Sequence, residues 1–141
     1  TIIGKCSEKE DEEKLYNYMK ENAKIKYLGY KTHREVVELL KNFDFIVVPS
    51  LWMENYPTTA LEGMLYKCLV IGSNRGGIPE IVGKDRGFLF DILDCRNIEN
   101  VLIKSYHLSK DEYKKIIDRA YKYVLKNNSY DKYYENIMRV L

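Results

Sequence analysis

Residues 43–49 read Phe-Asp-Phe-Ile-Val-Val-Pro, an almost unbroken apolar run that ends at a proline. Strands of parallel sheets are covered on both faces, and they therefore show continuous apolar runs instead of an apolar–polar alternation. The run predicts a buried parallel strand, and it predicts helices packed on both sides of the sheet that contains it.

Other short apolar segments extend this pattern in both directions along the chain, and helical patterns lie between them. The predicted strands are residues 1–4, 25–28, 43–49, 69–71 and 87–90. The predicted helices are residues 7–22, 32–40, 57–67, 78–82, 97–104, 109–127 and 129–141. This alternation predicts an α/β fold with a Rossmann-like, doubly wound parallel sheet of about five strands, helices on both faces and a helical C-terminus.

Several of the predicted helices begin with a start signal in the sequence. Residues 7–10, 32–35 and 109–112 form capping-box patterns, in which a hydroxyl and a carboxylate side chain each accept a hydrogen bond from the other's backbone amide. Pro57 suits a first helical position, because proline lacks the N–H that is left unpaired there. We expect helices to begin at these four places.

The composition is that of one soluble globular domain, residues 1–141. Lys and Arg number 23, Asp and Glu number 21, and the net charge of +2 shows no basic patch, so no nucleic-acid partner is expected. No apolar run approaches the ~18 residues of a membrane span and no signal-peptide layout is present, so we expect a cytoplasmic protein. The three cysteines lie far apart and no cluster has metal-ligand spacing, so neither disulfides nor a metal site is predicted.

The loop after residues 43–49 carries the residues with the clearest chemistry. Ligands of open parallel sheets bind outside the carboxyl ends of the strands, beside helix N-termini. Glu54 falls just before a predicted helix, and Glu62 falls on its second turn, on the same side as Thr58. The amides of Thr58 and Thr59 suit a phosphate, whereas the two carboxylates suit neutral hydroxyls. A nucleotide-sugar, with phosphates between two hydroxyl-rich rings, fits this layout.

The order of the motifs resembles a known family. Residues 49–64 (PSLWMENYPTTALEGM), 68–82 (CLVIGSNRGGIPEIV) and 87–90 (GFLF) resemble the C-terminal, donor-binding half of retaining GT-B glycosyltransferases, the family called group 1. The resemblance covers essentially the whole chain. It implies a parent enzyme of carbohydrate biosynthesis that transfers a hexose from a nucleoside diphosphate sugar to an acceptor hydroxyl with retention of configuration. It implies no cofactor and no metal.

The resemblance also assigns roles to residues of this chain. Glu54 matches the glutamate that contacts the donor sugar near the reacting carbon, which makes it the catalytic candidate, and Glu62 matches the glutamate that holds the ribose. Pro57 stands where the common pattern has glycine, so Thr58 or Thr59 would supply the missing contact. The other donor-binding candidates are Asn55, Tyr56, Pro57, Thr58 and Thr59 at the sugar and distal phosphate, Leu28, Gly29, Tyr30 and Lys31 at the base, and Gly76 and Gly77 near the sugar.

Structural roles compete with some of these assignments. Glu54 would also balance a helix dipole, and Thr58 and Thr59 would equally serve as plain first-turn residues. Trp52 is expected to pack over the loop instead of touching a ligand. Other functions on the same fold also stay open, namely a sugar phosphorylase, a nucleotide-sugar epimerase or a non-catalytic interaction domain.

Two parts of the family's pattern have no counterpart in these residues, namely the strand-loop-helix unit whose cations grip the diphosphate and the N-terminal acceptor domain. We therefore expect an inactive donor-binding fragment, whose parent takes a glycan, lipid or protein acceptor and whose contact with a membrane is left open. The strands at residues 1–4 and 43–49 would pair directly, or another chain would fill the gap, or exposed edges would favour self-association.

Overall fold

A computed structural model describes residues 1–129, 132 and 138 of the chain. The chain divides into two compact units, Thr1–Leu39 and Leu40–Leu141. Ten residues of the predicted last helix, 130, 131, 133–137 and 139–141, lie outside the described residues. Among the residues that are described, no helix is both long enough and apolar enough to cross a membrane.

The first unit contains helix α1, Lys9–Glu21, and nearly all of α2, His33–Leu40. The strands predicted at 1–4 and 25–28 are reduced to one parallel bridge between Ile2 and Tyr27. The Ile2 N–H donates to the Lys26 carbonyl at 2.7 Å, and the Leu28 N–H donates to the Ile2 carbonyl at 3.0 Å. Ile2 is 43% exposed and Leu28 37% exposed, so these short segments bury too little apolar surface to extend the pairing.

The second unit is built on a parallel sheet with strand order β1-β2-β3. The strands are β1, Phe45–Val48, β2, Leu69–Ser73, and β3, Gly87–Phe90. The flanking helices are α3, Thr58–Leu65, α4, Ile78–Val82, α5, Cys95–Tyr106, and α6, Lys110–Asn127. The predicted α/β fold with a parallel sheet and a C-terminal helix is confirmed, but among the described residues the sheet has three strands where about five were predicted.

Strand β2 is the centre of this unit, and all five of its residues are buried. Val70 packs on one face of the sheet, whereas Leu69 and Ile71 pack on the other, as the alternation of strand side chains requires. The first core cluster consists of Val48, Ala60, Met64, Val70, Ile78, Ile81, Val82, Ala120 and Val124. The second cluster consists of Leu69, Ile71, Phe90 and Ile117. Helices therefore cover both faces of β2, as predicted.

Strand β1 departs from the prediction of a fully covered strand. Val48 is only 5% exposed, but Val47 on the opposite face is 43% exposed. The reason is position, because β1 pairs with β2 alone and forms an edge of the three-stranded sheet. An apolar groove of about 410 Å³ lies on this face, lined by Phe45, Val47, Ile71, Leu102, Ile103, Tyr106 and His107.

The helix starts follow the predicted caps in most cases. The capping boxes at Thr32 and Ser109 form, and the Ser109 hydroxyl and amide hold the pKa of the Glu112 carboxylate below its usual value. The box predicted at 7–10 is wrong, since Glu8 is the N-cap of α1 and no side chain of the described residues caps this helix. Its first turn carries three acidic residues, which interact favourably with the helix dipole without a hydroxyl cap.

The end of α3 places a lysine in a backbone conformation that favours glycine. Lys67 has φ +59°, and it follows the C-cap residue Tyr66. The Cys68 N–H donates to the Gly63 carbonyl at 2.9 Å, and the Lys67 N–H donates to the Met64 carbonyl at 3.2 Å. This is the Schellman pattern, in which glycine normally occupies the position of Lys67.

We expect Lys67→Gly to be more stable than Lys67→Ala by about 1 kcal/mol, because both variants remove the lysine side chain and only glycine relieves the left-handed strain. Lys67 forms an ion pair with Asp118 at 3.7 Å, and its ammonium lies over the Tyr121 ring at 5.1 Å from the centroid. Both interactions disappear equally in the two variants, so they cancel in the comparison. Urea unfolding of the two variants measures the difference, and an alanine variant as stable as the glycine variant would contradict the strain.

Candidate functional site

The strand register brings two loops together at one edge of the sheet. Val48 of β1 lies opposite Gly72 of β2, so the loops at 49–57 and 74–77 leave neighbouring parallel strands side by side. The Gly77 N–H donates to the Glu54 carbonyl at 2.6 Å. The predicted site residues Glu54, Gly76 and Gly77 are therefore brought together at the carboxyl ends of the strands.

Gly76 and Gly77 allow this approach because they lack side chains. Gly76 has φ +53°, and a β-carbon built there would overlap the backbone of Glu54. A β-carbon on Gly77 would overlap the carbonyl oxygen of Asn55. The sequence predicted these glycines as neighbours of a sugar, and the structure gives them a further task, which is to hold the backbone of the Glu54 loop.

The carboxylate of Glu54 is oriented by two serines that the sequence pattern did not single out. The Ser50 hydroxyl donates to Glu54 Oε1 at 3.1 Å, and Glu54 itself is half-buried. The Ser73 hydroxyl donates to the Ser50 carbonyl at 2.8 Å, and Ser73 is completely buried. The sequence offered one clue to these serines, which is their position at the carboxyl ends of strands. Ser73 ends β2, and Ser50 lies two residues after β1.

The start of α3 lies between the two glutamates in the chain. Pro57 is the buried N-cap instead of the predicted first helical residue, and within residues 50–65 no side chain caps the helix. Thr58 and Thr59 are exposed on the first turn. Glu62 is half-buried on the second turn, on the same helix face as Thr58. This helix start can accept an anion through its first-turn amides, with a carboxylate on either side.

The remaining loop residues differ in their surroundings. Asn55 is exposed, and its carbonyl is the one that faces Gly77. Tyr56 is 38% exposed, and its hydroxyl accepts a hydrogen bond from Asn128 Nδ2 at 3.0 Å. The expectation that Trp52 packs over the loop is wrong, because this residue is 82% exposed.

The four residues predicted to frame a base belong to the first unit. Leu28 and Lys31 line a groove of about 370 Å³ together with side chains of α2. Gly29 has φ +65°, which turns the chain there, and Tyr30 is 72% exposed. Lys31 Nζ lies 3.8 Å from a carboxylate oxygen of Glu35.

Comparison with known families matches this arrangement to a family. The sequence profile of the family described as "Glycosyl transferases group 1" matches residues 1–136. The chain belongs to this family. The match confirms the resemblance based on residues 49–64, 68–82 and 87–90.

The group 1 chain has named relatives that are much longer. WcaL of Escherichia coli (strain K12), a glycosyltransferase named for colanic acid biosynthesis, is 31% identical over 98 residues. These residues are 65% of this chain and 24% of WcaL. The chain therefore spans about a quarter of the length of this relative.

Solved structures share the fold of this chain. HepE of Anabaena, crystallised with UDP and glucose, superposes with a TM-score of 0.83 at 17% identity, over 98% of this chain and 38% of HepE. The C-terminal domain of LpcC from Francisella tularensis superposes with a TM-score of 0.71 at 24% identity, over 86% of this chain and 64% of that domain. Because both identities are below 25%, these superpositions show a shared fold and nothing about the function of this chain.

We expect Gly77→Ala to destabilise the chain by about 2 kcal/mol, because the added carbon overlaps the Asn55 carbonyl and breaks the hydrogen bond to Glu54. Asn74→Ala is the control, since Asn74 is exposed in the same loop and its replacement should change stability by less than about 0.5 kcal/mol. Urea unfolding followed by circular dichroism compares the two. Equal stabilities would show that the loops do not need this close contact.

Proposed function

We propose that residues 1–141 form the donor-binding C-terminal domain of a retaining GT-B glycosyltransferase with a Rossmann-like, doubly wound fold. The parent enzyme transfers a hexose from a nucleoside diphosphate sugar to an acceptor hydroxyl. The observation that carries this proposal is the arrangement around α3, where Glu54 and Glu62 flank a helix start whose first-turn residues Thr58 and Thr59 are exposed. Membership of the group 1 family supports it.

The start of α3 supplies the site for the diphosphate. First-turn amides and the helix dipole favour negative charge, and they stabilise the diphosphate further as it leaves the sugar. A carboxylate at the same point would repel the phosphates, and the two glutamates lie on either side of it in the sequence. The basic residues that would complete the grip on the diphosphate lie outside this chain.

The two glutamates bind the sugars at either end of the donor. Glu54 accepts hydrogen bonds from hydroxyls of the transferred sugar, while the hydrogen bond from Ser50 to one of its oxygens fixes its orientation. Glu62 accepts hydrogen bonds from the ribose. The backbone of Asn55, Tyr56 and Pro57 lines the path between them, and Gly76 and Gly77 lie on the sugar side.

The base and the acceptor are recognised elsewhere in the protein. Residues 28–31 of the first unit are the candidates for contact with the base through main-chain groups, and Leu28 and Lys31 line a groove on that unit. The acceptor, a glycan, lipid or protein, binds through a domain outside this chain, so residues 1–141 alone bind the donor without turnover. UDP and UDP-glucose are the first probes, because HepE was crystallised with each of them.

We expect Glu62→Gln to weaken UDP binding by about 10-fold or more, since a hydrogen bond to a charged group contributes ~1.5–3 kcal/mol. Glu54→Gln should reduce turnover in the intact protein more than it reduces UDP affinity, because its partner is the transferred sugar. Calorimetry with UDP and steady-state kinetics with UDP-glucose measure the two effects.

The control is Glu99→Gln, an exposed carboxylate on α5 that should change neither quantity. Wild-type turnover in Glu54→Gln would contradict the role of Glu54. Release of free sugar phosphate, or epimerised donor without acceptor, would favour a phosphorylase or an epimerase, and failure to bind UDP, GDP or ADP would favour an interaction domain.

We also propose that a second copy of the chain pairs with the exposed edge of β1. The strand contains no charged residue and forms an edge of the three-stranded sheet, so no charge on it opposes edge pairing.

Val47→Lys should therefore lower the dimer fraction in sedimentation velocity at least several-fold, because a charge on this strand opposes edge pairing. The control is Leu125→Lys, an exposed leucine on α6 that is 51% exposed. A monomeric wild-type chain, or equal dimer fractions in both variants, would contradict pairing at this edge.

A further inference from the structure

The side chain of Tyr56 ties the Glu54 loop to the end of α6. Tyr56 comes two residues after Glu54 and directly before the N-cap of α3. Its hydroxyl accepts a hydrogen bond from Asn128 Nδ2 at 3.0 Å, across 72 positions of the sequence. Tyr123 lies beside the Tyr56 side chain, and its interaction with Tyr56 is one cause of the raised pKa of the Tyr123 hydroxyl. Asn128, the C-cap of α6, therefore holds one residue of the loop.

Tyr123 is itself fixed by its neighbours. Its ring packs against the first core cluster, and the Arg86 guanidinium lies over the ring at 3.8 Å from the centroid. Arg86 is anchored in turn, because its Nε donates to the Ile81 carbonyl at 2.9 Å and its Nη2 donates to the Glu80 carbonyl at 2.7 Å. Tyr123 is therefore fixed to helix α4 through Arg86.

We propose that Asn128, with Tyr123 beside it, acts through Tyr56 as a positioning residue that holds the Glu54 loop in the conformation needed to bind the donor. This inference rests on the proposed function of the loop. The Gly77 amide fixes the loop at Glu54, and Tyr56 fixes it again two residues later, from the side of α6. A shift of Tyr56 would move Glu54 and the first turn of α3 together, and a displacement of about 1 Å in a reacting group costs about 100-fold in rate.

The resistance of Tyr123 to ionisation favours a stable polar contact beside Tyr56. Burial, together with the hydrogen bond to Tyr56, raises the pKa of Tyr123 to about 12. Tyr123 therefore stays protonated at alkaline pH as well, where an ordinary tyrosine with a pKa of about 10 begins to ionise. Its ring is half-buried, whereas Tyr56 is 38% exposed, so Tyr123 is the fixed partner and Tyr56 the positioned one.

The test compares conservative variants of the intact protein. Tyr123→Phe keeps the ring and its stacking on Arg86 and removes only the hydroxyl, and Asn128→Ala removes the second donor. Tyr121→Phe is the matched control, because Tyr121 lies on the same helix and its ring contacts Lys67 instead of the loop. Measurements are hydrogen exchange of a peptide spanning residues 50–57, the kcat and KM for UDP-glucose, and the melting temperature.

We expect exchange in residues 50–57 to accelerate several-fold in Tyr123→Phe and in Asn128→Ala. The KM for the donor should rise 3-fold to 10-fold in the same variants, as expected for the loss of a hydrogen bond worth about 1 kcal/mol, and Tyr121→Phe should match wild type. Tyr56→Phe should reproduce the effect, and adding Tyr123→Phe to it should cause no further increase, because the two hydroxyls act through one contact.

Unchanged exchange in residues 50–57, or faster exchange with an unchanged KM, would overturn the inference. A melting temperature lowered equally in Tyr121→Phe and Tyr123→Phe, with the same KM, would also overturn it in favour of a purely structural contact. If the wild-type protein binds no nucleotide, the proposed function fails, and the exchange rates still decide whether α6 holds the loop.

Discussion

The contact between two backbone segments at the carboxyl ends of β1 and β2 is the constraint on which the site depends. The Gly77 amide reaches the Glu54 carbonyl at 2.6 Å, and neither Gly76 nor Gly77 has room for a side chain. The sheet sets the distance between the two loops, because β2 is fully buried and its register places Gly72 opposite Val48. A β-carbon on Gly72 would lie 2.5 Å from Ile78, so α4 also needs a glycine to pack there. The buried register thereby determines where Glu54 stands.

Polar contacts, more than burial, order the loop that carries Glu54. Its residues Leu51, Trp52 and Met53 are at least 65% exposed and bury little apolar surface. Hydrogen bonds from Ser73 to Ser50 and from Asn128 to Tyr56 join the loop to rigid elements, and the hydrogen bond from Ser50 to Glu54 lies within the loop. Each contributes ~1 kcal/mol, so the loop opens more easily than the core around Val70, which suits a segment that must admit and release a ligand.

The sequence predicts the second unit well, because its elements carry strong local signals. The apolar runs of β1, β2 and β3 and the capping box at Ser109 all lie where the pattern predicts them. The first unit is harder, because residues 1–4 and 25–28 have the composition of strands but too few partners to form more than the Ile2–Tyr27 bridge. The exposure of Val47 is equally invisible in the sequence, since the run in β1 predicts a covered strand and only the strand order reveals an edge.

The features of the site that the sequence predicts are also those that depend on local contacts, whereas the features it misses depend on contacts between distant residues. The eight-residue spacing from Glu54 to Glu62 places one carboxylate before α3 and the other on its second turn, whatever the rest of the chain does. The orientation of Glu54 is a different matter, because Ser50 lies in the same loop while Ser73 and Gly77 come from the next strand and loop, and Asn128 comes from the far end of α6. A spacing rule reports which residue types share a helix end, whereas the placement of the loop backbone depends on donors that only the folded chain brings near, namely Ser73, Gly77 and Asn128. An insertion between Glu54 and Pro57 would keep Ser50 and Gly77 in place but would change the spacing between Glu54 and the start of α3, so the length of this segment constrains the site as strongly as its residues do.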